Sequence, residues 1–194
     1  MAVRPKGQKS DPRITRTRAL IEDAFLAVME DKGFEDLTVN DVTERAGINR
    51  VTFYSHFVDK YALLGDTIRK SFLQEIERHD FAARELSVDS VRDLFLSICS
   101  YVTALYGHCK PPHTHLDWVV EAQVTDLSAE LFRAWAGKSD KSGSAKSVAL
   151  IATAASSAMY GLVLQWLRTK KRTAASTFVR TSLPVVTGIL GLSI

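Results

Sequence analysis

The chain has 194 residues, of which 46% are apolar and 24% are charged, and this composition is typical of a soluble globular protein. It excludes a long disordered chain, a collagen and a small disulfide-rich scaffold, and the length is sufficient for a buried core. The formal net charge is only +3, but residues 1–20 hold six basic residues and one acidic residue. The sequence therefore predicts a flexible basic arm at residues 1–10, ahead of a nearly neutral body.

The two cysteines, Cys99 and Cys109, are ten residues apart, which on one helix is roughly 15 Å and too far for a disulfide. Two thiols are also too few for a secreted scaffold and suit a reduced compartment. Residues 1–10 are basic and polar, without the apolar run of a signal peptide. We therefore expect a cytoplasmic protein.

Apolar residues recur at three- and four-residue spacing through most of the chain, and no segment shows the two-residue alternation of a strand. The pattern predicts an all-α protein. Cap residues set several helix ends, with Asp11 and Pro12 at the first start, Gly33 at the first end, and Thr38 and Gly47 around the second helix. The predicted helices cover residues 12–32, 39–46, 48–56, 60–79, 88–105, 116–136, 145–169 and 174–190. The composition changes around residues 80–88, which we predict to be the domain boundary.

The most informative segment runs from Thr38 to Lys60, where a short helix ends at Gly47 and a second short helix follows at once. This arrangement is typical of a helix-turn-helix. The second helix has a polar face that suits a major groove, comprising Asn49, Arg50, Thr52, Ser55 and His56. Its other face is apolar, comprising Ile48, Val51, Phe53 and Phe57.

Side-chain chemistry suggests a role for each candidate DNA contact. Arg50 can make a bidentate contact to guanine, and Asn49 can reach a base edge or a phosphate. Hydroxyl and imidazole groups suit phosphate oxygens, as do helix N-termini. We expect such contacts from Thr38, with Asn40 exposed beside it, and from Thr52, Tyr54, His56 and Lys60. A helix-glycine-helix corner also occurs in proteins that bind no DNA, so spacing alone leaves that alternative open.

The identity of the residues in this segment favours the DNA-binding alternative. The segments Thr38-Val39-Asn40-Asp41-Val42, Ala46-Gly47-Ile48-Asn49-Arg50-Val51-Thr52-Phe53-Tyr54-Ser55-His56-Phe57, Asp59-Lys60 and Leu63-Leu64 closely resemble the DNA-binding domain of the TetR family of transcriptional regulators. The resemblance covers about residues 12–64. It implies an N-terminal three-helix helix-turn-helix domain, joined by a linking helix to a C-terminal helical bundle for ligand binding and dimerisation. The expected domains are residues 11–80 and 81–194. By the same likeness, seven of these residues occupy the family's DNA-contacting positions: Asn40, Asn49, Arg50, Thr52, Tyr54, His56 and Lys60.

The C-terminal part is less informative, but one stretch stands out. Residues 148–167 carry no charge, and small residues there allow two helices to approach closely. We predict a homodimer interface that includes Ala152, Ala155, Gly161, Leu162 and Trp166. Two alternatives remain open: a helix buried within one subunit, and a membrane-spanning helix.

A small-molecule cavity in the C-terminal bundle would have aromatic walls, and we predict Tyr101 and Trp118 among its lining residues. The basic run at residues 170–172 is predicted to be a solvated helix end. Four possible metal ligands lie close together at His108, Cys109, His113 and His115, but their spacing matches no structural zinc pattern, so no metal or cofactor is predicted.

No catalytic motif is apparent in the sequence, and we do not expect an enzyme. The sequence predicts a dimeric, sequence-specific transcriptional regulator, most simply a repressor that a small-molecule effector releases from a palindromic double-stranded DNA operator. The alternatives are a helical membrane protein and a helical ligand-binding protein without specific DNA binding.

Overall fold

The computed structural model describes residues 11–108, 117–138 and 144–192, apart from the side chain of His108. Every long element within these residues is an α-helix and none is a strand, which confirms the all-α prediction. The helices are α1 (Pro12–Lys32), α2 (Val39–Ala46), α3 (Arg50–Tyr54), α4 (Lys60–Arg78), α5 (Val88–His108), α6 (Asp117–Lys138), α7 (Ala145–Arg168) and α8 (Ala175–Ile189), with a 3₁₀ helix at Phe81–Ala83.

The chain divides into two compact units, residues 1–64 and 65–194. This division falls within α4, whereas the sequence placed the boundary around residue 80, where α4 has ended. The extent of the functional domains therefore stays a prediction.

The first unit is built around α1, which packs against α2, while α2 packs against α3. The Asp11 carboxylate accepts a hydrogen bond from the backbone N–H of Arg13 at the start of α1, and Pro12 occupies the first turn. Gly33 follows the last turn with a φ of +83°, a conformation that favours glycine. The core of this unit is aliphatic and aromatic, and includes Ile21, Phe25, Val28, Phe34, Leu37, Val42, Phe53, Phe57 and Leu63.

The second unit is a helical bundle in which α7 packs against α5, α6 and α8, and α8 also packs against α5. Its interior contains Trp135, whose indole N–H donates to the carbonyl of Phe81 at 2.7 Å. This bond satisfies the polar edge of a fully buried ring and fixes the 3₁₀ helix against α6. The bundle places the end of α5, the start of α6 and the end of α7 around one cavity.

Helix α7 is long and apolar enough to cross a membrane by length and composition, with a mean hydropathy of 1.7 over an 18-residue window. One such helix is weak support for the membrane alternative, because the core helices of soluble proteins have the same character. About a third of that window is buried within the chain, including Ala155, Met159 and Val163. The rest of the window is half-buried or exposed, and Leu150 and Ile151 are its exposed large apolar residues.

Candidate functional sites

The start of α2 is held by a reciprocal pair of hydrogen bonds. The Thr38 hydroxyl accepts from the backbone N–H of Asp41, and the Asp41 carboxylate accepts from the backbone N–H of Thr38 at 2.9 Å. Lys32 Nζ also donates to the Asp41 carboxylate at 2.5 Å, which ties the end of α1 to α2. Hydrogen bonds from Lys32 and Thr38 lower the pKa of this carboxyl to about 2. The carboxylate therefore stays ionised and fixes the entry to the helix-turn-helix.

The turn between α2 and α3 depends on Gly47. Its φ of +65° and ψ of +34° lie in the left-handed region, which most side chains avoid. The Ile48 N–H then bonds back to the Thr43 carbonyl at 3.0 Å, which satisfies one of the last carbonyls of α2. The chain thus leaves one helix and enters the next within three residues, as the sequence predicted.

Asn49 is the N-cap of α3 rather than a residue within it. Its backbone is extended, and its side-chain oxygen accepts hydrogen bonds from the backbone N–H of Thr52 at 2.7 Å and from the Thr52 hydroxyl at 3.0 Å. The helix accordingly begins at Arg50 and not at Ile48. These bonds leave the amide N–H₂ of Asn49, and not its oxygen, as the group that suits a base edge or a phosphate.

The exposed surface of α3 carries Arg50 and Tyr54, one turn apart. The Arg50 guanidinium donates to the Tyr54 hydroxyl at 3.3 Å and lies 5.9 Å from the centre of its ring. Tyr54 therefore supports the arginine from the same helix. This contact limits the motion of a long side chain before it meets a ligand, which lowers the entropy lost on binding.

Val51 was predicted to share the apolar face of this helix with Phe53 and Phe57, and the structure corrects this: Val51 is 80% exposed. Phe53 and Phe57 are buried and define the inner face, and a residue two positions before Phe53 lies on the opposite side of the helix. Val58 is similarly exposed, at 77%. The spacing of the phenylalanines was the signal that would have found Val51 as a candidate contact.

Lys60 differs most from its predicted role. Its ammonium group donates to three backbone carbonyls, those of Phe34 at 3.0 Å, Glu35 at 3.1 Å and Leu37 at 2.9 Å. A lysine has three N–H donors, so this geometry uses its full capacity. The expectation of a phosphate contact by this side chain is therefore corrected to a structural role, in which Lys60 fixes the link between α1 and α2.

The other predicted contacts lie at the surface of the same unit. Asn40 is exposed, although its amide donates to the Glu44 carboxylate at 2.7 Å. Thr38 is exposed at the start of α2, and Thr52 and His56 are half-buried. The unit therefore presents most of the predicted DNA-contacting set on α2, α3 and their ends. The basic arm, residues 1–10, lies outside the described residues.

Residues 21–67 match the family model described as bacterial regulatory proteins, tetR family. Over 125 residues, the chain is 28% identical to the uncharacterised HTH-type transcriptional regulator YxbF of Bacillus subtilis, a match covering 64% of this chain and 33% of that protein. The chain is also similar to solved TetR-family structures, including a regulator from Streptomyces coelicolor, with a TM-score of 0.61, 17% identity and coverage of 95% and 99% of the two chains. The chain is therefore similar to the tetR family over residues 21–67, about a quarter of its length.

A second similar structure is that of Thermus thermophilus FadR, a TetR-family transcriptional repressor in complex with lauroyl-CoA. It has a TM-score of 0.59 and 18% identity, and the alignment covers 87% of this chain and 92% of that chain. At such identities the structural likenesses establish the fold alone. The present chain spans about a third of the length of YxbF, so the activity of that relative does not transfer to it directly.

The second unit contains a cavity of about 680 Å³, a volume typical of small-molecule sites. Its described lining combines polar and apolar groups from α5, α6, α7 and the segment after α7: Thr103, Tyr106, Gly107, Asp117, Leu164, Leu167, Arg168 and Arg172. Neither of the two predicted pocket residues, Tyr101 and Trp118, is among these lining residues. Tyr101 instead hydrogen-bonds to Ser71 and to the Ile68 carbonyl, and Trp118 is 57% exposed. Arg172, which was predicted to be a solvated helix end, does line the cavity.

The predicted dimer interface also needs correction. Ala152, Ala155 and Trp166 are buried within their own chain, at 2%, 0% and 8% exposure, so they have little surface to offer a partner. Gly161 is exposed and Leu162 is half-buried. The part of α7 that remains exposed carries two large apolar side chains, Leu150 and Ile151.

The cluster of possible metal ligands falls largely outside the described residues. Cys109, His113 and His115 are not described, and His108 is described only as the last residue of α5. No group of three or more His, Cys, Asp or Glu residues suited to a metal occurs in the described segments. Cys99 is a free, buried thiol in α5, and burial raises its pKa to about 12.

Proposed function

We propose that the chain is a transcriptional regulator that binds double-stranded DNA in a sequence-specific manner through α3. The observation that carries the proposal is the capped helix-turn-helix, in which Gly47 and Asn49 fix a short helix with Arg50, Val51 and Tyr54 on its exposed side. A helix held in this way at the surface fits the major groove, where base edges carry a readable pattern of donors, acceptors and methyl groups.

Each exposed residue of α3 has a distinct proposed role. Arg50 donates to the O6 and N7 atoms of a guanine, and one such contact contributes about 1–3 kcal/mol of discrimination. Val51 packs on the methyl group of a thymine, which supplies a second kind of base preference. Thr52, Tyr54 and His56 contact phosphates at the groove edges, and the N-terminus of α2 with Thr38 and Asn40 binds a further phosphate.

We further propose that the protein acts as a cytoplasmic homodimer on a palindromic operator. The exposed apolar face of α7 supports this, because Leu150 and Ile151 together present a surface that a second copy can cover. Two related copies would place two α3 helices about one helical turn apart along the DNA. The likeness to the FadR repressor, which was solved with lauroyl-CoA, supports a repressor whose operator affinity responds to a small molecule.

The test is selection of fragments from random or genomic DNA by the purified full chain, followed by footprinting at physiological salt. The wild-type chain is expected to enrich a two-fold symmetric sequence. Arg50→Ala is expected to bind this sequence tenfold or more weakly and to lose the preference for guanine at one position in each half-site.

Arg92→Ala is the matched control, because it removes one positive charge from α5 in the second unit and leaves α3 unchanged. It is expected to retain the wild-type preference. An Arg50→Ala variant with unchanged base preference would contradict the role of Arg50. Failure of the wild-type chain to enrich any sequence would contradict the proposed function itself.

A further inference from the structure

The cavity of the second unit carries an excess of positive charge. Arg168 and Arg172 line it, and Asp117 is the one acidic residue among its described lining residues. Arg168 Nη2 bonds to the Asp117 carboxylate at 2.7 Å, so these two charges offset each other. The charge of Arg172 remains, and no ion pair to it occurs among the described residues. The site as a whole therefore favours a ligand with one negative charge.

Arg172 is held in place although it lies outside any helix. Its guanidinium stacks 4.9 Å from the ring of Trp166, which itself stacks on Phe178 with an interplanar angle of 15°. The Trp166 indole N–H donates to the Thr173 carbonyl at 2.9 Å, which anchors the backbone next to the arginine. A guanidinium fixed in this way has its N–H donors available for a planar, bidentate acceptor such as a carboxylate.

The other lining residues indicate which chemical groups the rest of the ligand would carry. Leu164 and Leu167 form an apolar wall contributed by α7. The Thr103 hydroxyl is buried and has no hydrogen-bond partner in the described parts of the chain, although a buried hydroxyl normally has one. Tyr106 is already engaged, because its hydroxyl donates to Asp117 at 2.5 Å. The Thr103 hydroxyl is thus available to form a hydrogen bond with a ligand in the cavity.

We propose that this cavity binds an organic monocarboxylate, with the carboxylate on Arg172, the apolar body against Leu164 and Leu167, and a hydrogen bond to Thr103. The binding chemistry is argued from the cavity alone, whereas its role as the effector site rests on the proposed function.

The test is direct binding of acids and their neutral amides to the full chain by titration calorimetry, in the absence of DNA. The probes are octanoate, decanoate, benzoate and phenylacetate, each paired with the amide of the same carbon skeleton. At least one acid is expected to bind, and its amide is expected to bind tenfold or more weakly, because a charge-assisted hydrogen bond is replaced by a neutral one. Arg172→Ala should weaken binding of that acid by a similar factor.

Lys171→Ala provides the matched control, since it removes the same charge from the neighbouring residue, which is not among the lining residues. It is expected to change the affinity by less than threefold. Thr103→Val keeps the side-chain shape, removes the orphaned hydroxyl, and should weaken binding with no loss of stability.

Three results would overturn the proposal: binding of no acid in the panel, equal binding of acid and amide, or equal losses in Arg172→Ala and Lys171→Ala. Decanoyl-CoA is added as a separate probe. Its binding in the absence of any acid binding would assign the cavity to a thioester instead. DNA selection by the ligand-free chain is measured independently, so a regulator with a different effector is distinguishable from a chain that does not bind DNA.

Discussion

Asp41 joins three parts of the first unit through one carboxylate, which accepts from Lys32, from the Thr38 backbone and from the Thr38 hydroxyl. A carboxyl whose pKa is depressed in the folded state stabilises that state above its unfolded pKa. The stabilisation is lost as the pH falls from about 4, the value of a free carboxyl, to about 2, the value in the fold.

We therefore predict that the free energy of unfolding falls more steeply between pH 4 and pH 2 in the wild-type chain than in Asp41→Asn. The measurement is urea denaturation at a series of pH values, together with NMR titration of the carboxyl. Parallel profiles for the two proteins, or titration of Asp41 near pH 4, would show that the hydrogen bonds do not hold the ionised form.

Cys99 is predicted to be chemically inert in the native protein. Its thiol is buried in α5 and its pKa is raised by that burial, so almost no thiolate is present near neutral pH. In Cys109→Ser, Cys99 is the only thiol of the chain. A disulfide reagent at pH 8 should leave this variant unmodified in buffer and modify it rapidly in denaturant. Fast labelling without denaturant would mean that α5 opens readily.

Among the structural elements, the turn between α2 and α3 depends on the left-handed backbone of Gly47. The substitution Gly47→Ala tests how much this conformation contributes to stability. Space is available at this position, since an added Cβ would meet no atom within 4 Å, so the cost of Gly47→Ala is that of the left-handed backbone. We predict a loss of about 1–2 kcal/mol in the free energy of unfolding. Gly137→Ala, in equally open space near the end of α6, should be neutral or stabilising by up to about 1 kcal/mol. Equal changes in the free energy of unfolding for the two variants, measured by urea denaturation, would show that the left-handed turn is not the cause of the loss.

The helices could be predicted from the sequence because their ends are encoded locally. Thr38, Gly33 and Gly47 act on their own backbone or on residues a few positions away, and the structure places each at the helix end where it was expected. The third helix was predicted too long because Asn49 was interpreted as a contact residue and not as a cap. Its face was misassigned at Val51 because all of its apolar residues were assigned to one face, although Val51 lies only two positions before the buried Phe53.

Positions that depend on distant contacts could not be predicted in this way. Lys60 reaches carbonyls 23 to 26 residues earlier in the chain, and no local pattern contains that information. The cavity likewise joins residues from α5, α6 and α7, so aromatic content alone pointed to Tyr101 and Trp118, which take other positions. Small residues on α7 were predicted to face a second subunit, but Ala152 and Ala155 are buried within their own chain.

For the whole molecule, the proposed homodimer depends on the exposed apolar residues of α7, Leu150 and Ile151. A charge on an exposed apolar face is tolerated by a monomer and opposed by an interface, where it would lose its hydration. We predict that Leu150→Glu shifts the chain from dimer to monomer at micromolar concentration, measured by sedimentation. Leu20→Glu, which changes an exposed leucine of α1, should leave the dimer intact. A dimeric Leu150→Glu protein would place the interface elsewhere.

The carbonyl oxygens around Nζ of Lys60 resemble a coordination shell, with the cation supplied by the chain itself. Small domains that use a metal ion to fix a loop lose that loop when a chelator removes the ion. Here the cation is covalently attached, so the link between α1 and α2 has no ion to lose and no dependence on ion supply. Acylation of the amine would empty the shell, because the resulting amide is neutral and has one N–H donor for the three carbonyls.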